Sequence, residues 1–124
     1  MSIKWFSTKE KIGSASFYAT NITLNTIASV PFEYAYRVQV GIDDNGNIVI
    51  EPLSKERVIR GDLDEYDLLT IAVKKTYSRI SSTALMKRIQ ESLNINLKEN
   101  SMKFDTKWVE KDNLLIILTG KENN

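Results

Sequence analysis

One segment, residues 33–53, limits the fold of this chain more than any other. In an extended conformation, one face of its first half carries only apolar and aromatic side chains: Tyr34, Tyr36, Val38, Val40 and Ile42. The next four residues, Asp43-Asp44-Asn45-Gly46, supply the positive-φ positions that a tight turn needs. Residues 47–53 then alternate again. The segment therefore predicts a β-hairpin with one face, including Tyr34 and Tyr36, in the core.

Other segments have strand composition, because β-branched and aromatic residues alternate with polar ones. We predict a strand over 14–24, continued extended chain over 26–30, and a second hairpin over 102–108 and 114–119. The pattern of residues 62–78 is ambiguous. Acidic residues at its start and lysines near its end are typical of a helix, whereas side chains that alternate over 68–73 are typical of a strand. We interpret this part as an acidic turn followed by a strand over 68–77.

The best helical pattern covers residues 82–94, where Leu85, Ile89 and Leu93 form an i, i+4, i+8 stripe. Ser82 or Ser81 can cap it. Residues 7–13 have the pattern of a single helical turn, and the polar residues 54–61 are expected to form a connection.

Together these elements predict an α+β fold. It has a mainly antiparallel sheet built from hairpins, one main amphipathic helix near 82–94 and a short N-terminal helical turn. A length of 124 residues with two prolines and five glycines indicates one domain, 1–124, without long linkers. Residues 120–124 are expected to fray.

The chain contains no histidine and no cysteine. It therefore lacks the commonest proton shuttle, the commonest metal ligand and the thiolate nucleophile. Zinc sites of the Cys and His type and Ser-His-Asp relays are excluded. We therefore expect a protein that is not an enzyme, with no catalytic residue and no cofactor.

The net charge of +1 gives no bias toward anionic partners. The longest apolar run, residues 114–118, is far shorter than the ~20 residues that cross a bilayer. The first ten residues lack the apolar region of a secretion signal. These features predict a cytoplasmic protein without membrane contact, and the abundance of Asn, Ile and Lys is typical of a bacterial or phage-like source.

Four carboxylates lie within six positions: Asp62, Asp64, Glu65 and Asp67. Their oxygens could bind Mg²⁺ or Ca²⁺, although the spacing fits no calcium loop. Because runs of charge usually face solvent, the alternative is a solvated acidic turn.

The stretch from Lys74 to Gln90 contains no acidic residue. Its candidate anion-binding or nucleic-acid-binding residues are Lys74, Lys75, Arg79, Ser82, Lys87 and Arg88. A helix that begins after Ser82 would point its first amides at a phosphate. A solvated face of a helix and a strand explains the same pattern.

Two short segments, Ile22-Thr-Leu-Asn25 and Gly46-Asn-Ile-Val-Ile-Glu-Pro52, resemble the AbrB-like swapped-hairpin DNA-binding family over residues 22–53. The resemblance implies a dimer that binds DNA through a basic surface. The chain departs from the family pattern where Asn25 replaces a proline and where Pro31 interrupts the expected helix. No functional residue is carried over.

The sequence thus favours a small binding or assembly module that acts through a protein partner or through itself, as a homodimer or larger oligomer. Exposed strand edges are candidate contacts. The Trp5-Phe6 pair is expected either to pack the N-terminus down or to form a dimer contact. The alternatives are a nucleic-acid-binding or regulatory protein that uses the basic residues 74–88, and a carboxylate-dependent metal enzyme.

Overall fold

A computed structural model describes residues 2–8 and 12–120 of the chain. Its strands are β1 Ser14–Phe17, β2 Asn21–Leu24, β3 Arg37–Ile42, β4 Ile48–Leu53, β5 Ala72–Val73, β6 Ser78–Ser81, β7 Met102–Val109 and β8 Leu114–Ile117. Its helices are α1 Thr26–Ser29, α2 Lys55–Ile59 and α3 Thr83–Leu93. Single 3₁₀ turns cover Val30–Phe32, Glu65–Asp67 and Glu110–Asp112. The predicted α+β, mainly antiparallel fold is confirmed.

All the strands belong to one sheet in the order β3-β4-β8-β7-β1-β2-β6-β5, with antiparallel neighbours throughout. The sheet curls until its edges approach each other. Leu69, just before β5, forms a bridge with Val38 of β3. The two residues exchange N–H···O bonds of 2.9 and 2.8 Å. A single layer of strands therefore wraps around its own core.

Strand β7 joins the two halves of the sheet. Its first four residues pair with β1, from Met102↔Phe17 to Asp105↔Ser14. Its last four pair with β8 on the opposite edge, from Thr106↔Ile117 to Val109↔Leu114. Each half has a row of inward side chains and a row of outward ones, because successive residues of a strand point to opposite faces.

The core fills the inside of the curl. Its largest fully buried side chains come from most of the strands, from α3 and from the 3₁₀ turn at Val30–Phe32. They include Phe17, Phe32, Ile50, Ile80, Met86 and Ile117. Phe17 packs on Phe104 with ring centroids 5.0 Å apart, and Phe32 meets Trp108 edge-on at 6.5 Å. Burial of such side chains, worth about 1.5–3 kcal/mol each, drives the sheet to close.

The hairpin predicted over residues 33–53 is confirmed as β3 and β4. The Asp43 carboxylate accepts hydrogen bonds from the backbone of Asn45 and Asn47, both at 2.9 Å, and Gly46 has φ 82°. The assignment of Tyr34 and Tyr36 to the core is wrong. Tyr34 precedes the strand and is 89% exposed, because the chain only straightens at Arg37.

Two predictions for residues 14–30 are also wrong. The single strand predicted over 14–24 is a hairpin of β1 and β2 that turns at 18–20, a segment without glycine or proline. The segment 26–30 is not extended but begins a helix. The Asn25 side chain accepts from Ala28 N at 2.9 Å, which caps α1.

Two connections differ from expectation as well. Residues 54–61 contain α2, whose first turn is capped when Ser54 Oγ accepts from Arg57 N at 3.2 Å. The strand predicted over 68–77 is shorter, with the bridge at Leu69 and the pairs of β5. Lys74 N bonds to Tyr77 O at 2.8 Å, which reverses the chain into β6.

The main helix and the second hairpin are confirmed as α3 and as β7 with β8. The helical turn predicted over 7–13 falls partly on residues 9–11, outside the described residues, and residues 7, 8, 12 and 13 are not helical. Residues 121–124 of the predicted frayed tail are also outside the described part. Gly120 is buried and donates to Asn47 Oδ1 at 2.8 Å.

Within residues 2–8 and 12–120, no helix has both the length and the apolar character that crossing a membrane requires.

Asn25 ties three parts of the chain together, and this role can be tested. Its Oδ1 accepts from Ser14 N at 3.0 Å as well as from Ala28 N, and its Nδ2 donates to Ile12 O at 2.9 Å. We expect Asn25→Ala to lower the free energy of unfolding by about 2–3 kcal/mol, measured by urea denaturation. Asn25→Asp keeps both acceptor bonds but loses the bond to Ile12 O, so it should recover only part of the loss. An equal loss in the two variants would contradict the capping role.

Candidate functional site

The four acidic residues proposed as metal ligands have separate surroundings. Asp62 forms an ion pair with Arg57, with Oδ1 and Nη1 2.6 Å apart. Asp64 Oδ1 accepts from Tyr66 N at 3.0 Å and caps the 3₁₀ turn that contains Glu65. Asp67 lies beside β3, against a shallow depression on the outside of the sheet. In the described part of the chain, no three such carboxylates come close enough to hold a metal ion.

The basic residues predicted to bind anions are spread over three places. Lys74 and Lys75 lie in the turn between β5 and β6. Arg79 points outward from β6, and its guanidinium lies 5.2 Å from the centre of the Tyr77 ring. Lys87 and Arg88 are exposed on α3.

Ser82 has a structural role at the start of α3. Its Oγ accepts from Leu85 N at 3.1 Å, so the hydroxyl caps the helix. The same residue lines a groove of about 440 Å³ together with Arg88 and Asp67. The structure thus brings one member of the acidic group and two of the candidate anion-binding residues, Ser82 and Arg88, to a single groove, with Leu69 and Leu85 as apolar lining.

The outer face of β4, β8 and β7 carries an unexpected group of apolar side chains. We call it the apolar strip, and it consists of Val49, Val109, Leu114 and Ile116. Cross-strand register places Val49 beside Ile116 and Leu114 beside Val109. All four are partly exposed, whereas their neighbours along the strands, such as Ile48 and Ile117, are buried. In a single-layered sheet, this outer side faces solvent.

Two charged residues flank the strip on opposite sides. Glu51 of β4 follows Val49 by two positions on the same face, and its carboxylate accepts from Gln39 Nε2 at 2.6 Å. Lys107 of β7 pairs with Ile116 and is exposed. Charges of both signs therefore border the strip, since Asp67 also lines the depression beside Val49 and Leu114, and Asp105 lies two positions before Lys107 on β7.

Sequence reasoning missed this surface, although residues 114–118 contain a signal for it. Leu114-Leu-Ile-Ile-Leu118 lacks the polar alternation of a strand with one wet face. Leu115 and Ile117 fill the core, so Leu114 and Ile116 must point outward. An apolar residue at each outward position is typical of a strand that is covered on both faces.

The outer face of the other half of the sheet has different chemistry. One row across four strands reads Lys103, Ser16, Thr23 and Arg79. We call this row, together with the exposed Tyr18 near it, the hydroxyl face. Asp105 follows Lys103 by two positions on β7 and shares the face. Small hydroxyl side chains between two cations make this face wettable and weakly basic.

Other large apolar residues are exposed outside the sheet. Val30 and Tyr34 line a cleft of about 410 Å³ with Arg57 and Arg60 of the α2 region. Trp5 and Phe6 are 79% and 97% exposed in a segment without regular structure. Trp5 and Phe6 therefore do not pack the N-terminus down. Singly exposed apolar residues are common on protein surfaces, so these side chains do not by themselves mark a site.

Comparison of the chain with protein-family models, with curated proteins and with solved structures gave no match. The resemblance of residues 22–53 to the AbrB-like family therefore stays a prediction.

The orientation of β8 can be tested by paired substitutions. Ile116→Thr changes an outward side chain, so it should alter the free energy of unfolding by no more than about 1 kcal/mol. Ile117→Thr places the same hydroxyl in the core, where it should cost about 2–4 kcal/mol. Threonine is β-branched like isoleucine, so strand propensity hardly changes. Urea denaturation at low protein concentration measures both, and a comparable loss in the two variants would refute the assigned orientation.

Proposed function

We propose that this protein is a binding or assembly module that acts through protein–protein contact at the apolar strip. One observation carries the proposal, namely that Val49, Val109, Leu114 and Ile116 form a continuous apolar group on the solvent side of a single-layered sheet. The proposal assigns no catalytic residue and needs no cofactor, and it keeps the prediction of a cytoplasmic protein.

The shape of the strip favours a protein as the ligand. Sheets stack face to face about 10 Å apart, with outward side chains interdigitating. The strip offers aliphatic branches on three neighbouring strands, and it includes only a shallow depression of about 320 Å³ beside Val49 and Leu114. Small molecules bind in concave sites that enclose most of their surface. An apolar strip on the outer side of a curled sheet instead suits the side chains of another sheet or helix.

Burial supplies the driving force for such contact. Removing apolar surface from water contributes about 25 cal/mol per Å². The charged residues Glu51 and Lys107 lie at the margins of the strip, where an interface usually keeps its polar groups. The distribution of side chains therefore follows the usual anatomy of a protein interface.

Site-specific photo-crosslinking tests the proposal. With p-benzoylphenylalanine in place of Ile116, irradiation in the native host should join the chain covalently to another protein, seen as a band of higher mass. The matched control places the same photoreactive residue at Thr23, on the hydroxyl face of the same sheet, where we expect no such band. If position 116 gives no protein adduct, or if both positions give the same adducts, the proposal fails.

A second candidate function is binding of a single-stranded nucleic acid at the hydroxyl face. The observation that favours it is the row in which Arg79 and Lys103 stand on either side of Ser16 and Thr23, with Tyr18 nearby. Proteins that bind single strands combine backbone-tracking cations with aromatic rings on which bases stack. Lys74 and Lys75 lie in the turn that leads into β6, and they would extend the positive charge of this face beyond Arg79.

Paired neutralisations test this second function. Replacing Arg79 and Lys103 by Gln should weaken binding of a single-stranded oligonucleotide about tenfold or more, and should lower the salt slope by about 1.4. The control, Lys87→Gln with Arg88→Gln, removes the same charge from α3. Fluorescence anisotropy at several salt concentrations measures both. Equal effects of the two pairs, or no binding by the unchanged chain, would exclude the hydroxyl face as a specific site.

A further inference from the structure

We infer that residues 2–8 of one copy add as an extra strand to the open edge of β3 in a second copy, so that two copies exchange these segments. The site lies at the seam, the line along which β3 approaches the chain before β5. It goes beyond the proposed function, because it uses the edge of the sheet and needs no partner on the apolar strip.

The edge of β3 stays open beyond its single bridge. Val38 exchanges both backbone bonds with Leu69, whereas the amide of Asp43 donates to the β4 side at 2.9 Å. Because backbone groups alternate in direction along a strand, those of Val40 and Ile42 face the same way as those of Val38. Neither residue forms a backbone hydrogen bond on that side with any residue that the structure describes. An open edge of this kind pairs with another extended chain.

The acidic turn keeps the seam from closing. Continuing the antiparallel register from the Val38–Leu69 bridge would set Asp67 opposite Val40. Instead, Asp67 N donates to Asp64 O at 3.0 Å within the 3₁₀ turn, so the chain leaves β3 at this point. The space that remains between β3 and α3 is the groove of about 440 Å³.

Residues 2–8 have the properties that such an edge requires. They are exposed and lack regular structure, and their composition, with Ile, Trp, Phe and Thr among seven residues, is typical of a strand. In an extended conformation, Ile3 and Trp5 share one side, and Lys4 and Phe6 share the other. The segment therefore presents one apolar row and one row that carries a positive charge.

The groove suits the apolar row. A residue paired with Val40 points into the curl, since Val40 itself packs against the core. Trp5 at this position meets Leu69 and Leu85, with Arg88 at the side of the groove. Apolar walls take the body of an indole ring, and an arginine stacks on its face. The ring, 79% exposed in a single copy, becomes buried in the exchanged pair.

The depression beside Val49 suits the row that carries Lys4. The two ionisable residues that line this depression, Glu51 and Asp67, are both acids. Lys4 is the only charged residue in the segment 2–8. Gly41 keeps the depression open, because a Cβ atom there would meet only Val49 Cγ2, at 3.9 Å. This charge complementarity favours residues 2–8 over an acidic segment as the occupant.

A second copy supplies the segment, because residues 2–8 of the same copy are exposed to solvent. The segment leaves the sheet at Gly13, whose carbonyl accepts from Thr106 N at 2.9 Å. There β1 lies four strands from β3, about 19 Å along the sheet. Residues 9–13 span about 17 Å when fully extended, so the segment of the same copy falls short along the outside of the sheet. Each copy has one segment and one edge, so reciprocal exchange closes after two copies.

Charge reversal tests the contact between Lys4 and the depression. Lys4→Glu and Asp67→Lys each place like charges side by side, so each should raise the dimer dissociation constant about tenfold in sedimentation equilibrium. A mixture of the two variants restores opposite charges at one contact and keeps the native pair at the other. The mixture should therefore associate when neither variant does so alone. Lys98→Glu, which makes the same charge change at an exposed site after α3, should leave the dissociation constant within about twofold.

Gly41→Thr separates loss of the site from loss of the fold. Threonine suits a strand better than glycine, so the urea midpoint should stay equal or rise. The new side chain fills the depression, so the dissociation constant should rise about fivefold or more. Dissociation that weakens only in proportion to a lowered urea midpoint would count against the site.

Cysteine crosslinking identifies which copy provides the segment. The chain has no cysteine, so only introduced thiols react with a bismaleimide linker. Ile3→Cys in one copy and Ile42→Cys in another, at positions 61% and 48% exposed, should give a covalent dimer of twice 14.2 kDa. Thr23→Cys on the hydroxyl face replaces Ile42→Cys in the control, where we expect no such product.

The outcomes separate this inference from the proposed function. A chain that stays monomeric up to about 1 mM overturns the exchange. So does a dimer that ignores Lys4→Glu and Asp67→Lys, or a chain carrying both cysteines that crosslinks only within itself. A dimer that is weakened by Ile116→Thr but not by Lys4→Glu would overturn the exchange and still support contact at the apolar strip.

Discussion

Strand β7 carries the constraint on which the rest of the structure depends. Its first half pairs with β1 along one edge, and its second half pairs with β8 along the other edge. Without β7, the β3-β4-β8 group and the β1-β2-β6-β5 group would be linked through the sheet only by the Val38–Leu69 bridge, among the described residues. Each group has one apolar face, and the two faces bury each other in a single core.

That arrangement determines where chemistry can lie. The inner face of the sheet is filled by side chains such as Phe17, Ile50 and Ile117, so no enclosed ligand cavity is expected there. Binding surfaces are left to the outside of the curl. The two halves of the sheet use this outside differently, since one presents aliphatic branches and the other presents hydroxyl groups between cations.

Elements with strong local signals could be predicted from the sequence. Alternation and the Asp43–Gly46 turn define the β3–β4 hairpin, and the stripe of Leu85, Ile89 and Leu93 defines α3. The local conformation cannot be predicted from composition where a single side chain decides it. Asn25 starts a helix in a segment with strand composition. Its Oδ1 accepts from the Ala28 amide, which the first turn of a helix leaves without a backbone acceptor.

The candidate sites show the same division. The acidic and basic groups stand out along the sequence, yet their convergence at the groove beside Asp67 and Arg88 requires the folded chain. The apolar strip is even less visible. Val49 and Ile116 become neighbours only through the β4–β8 register, across more than half of the chain. No local window contains that information, although the unbroken apolar run at 114–118 indicates that β8 is unusual.

The position of β8 between β4 and β7 has a consequence for how the chain folds during synthesis. The β3–β4 hairpin is complete once residue 53 leaves the ribosome. The other strand that pairs with β4 is β8, which is made more than sixty residues later. Until then, β4 presents open backbone groups together with Ile48 and Ile50, a combination that promotes aggregation. A nascent chain of this topology therefore carries an unpaired, apolar strand edge until its last strand has been made.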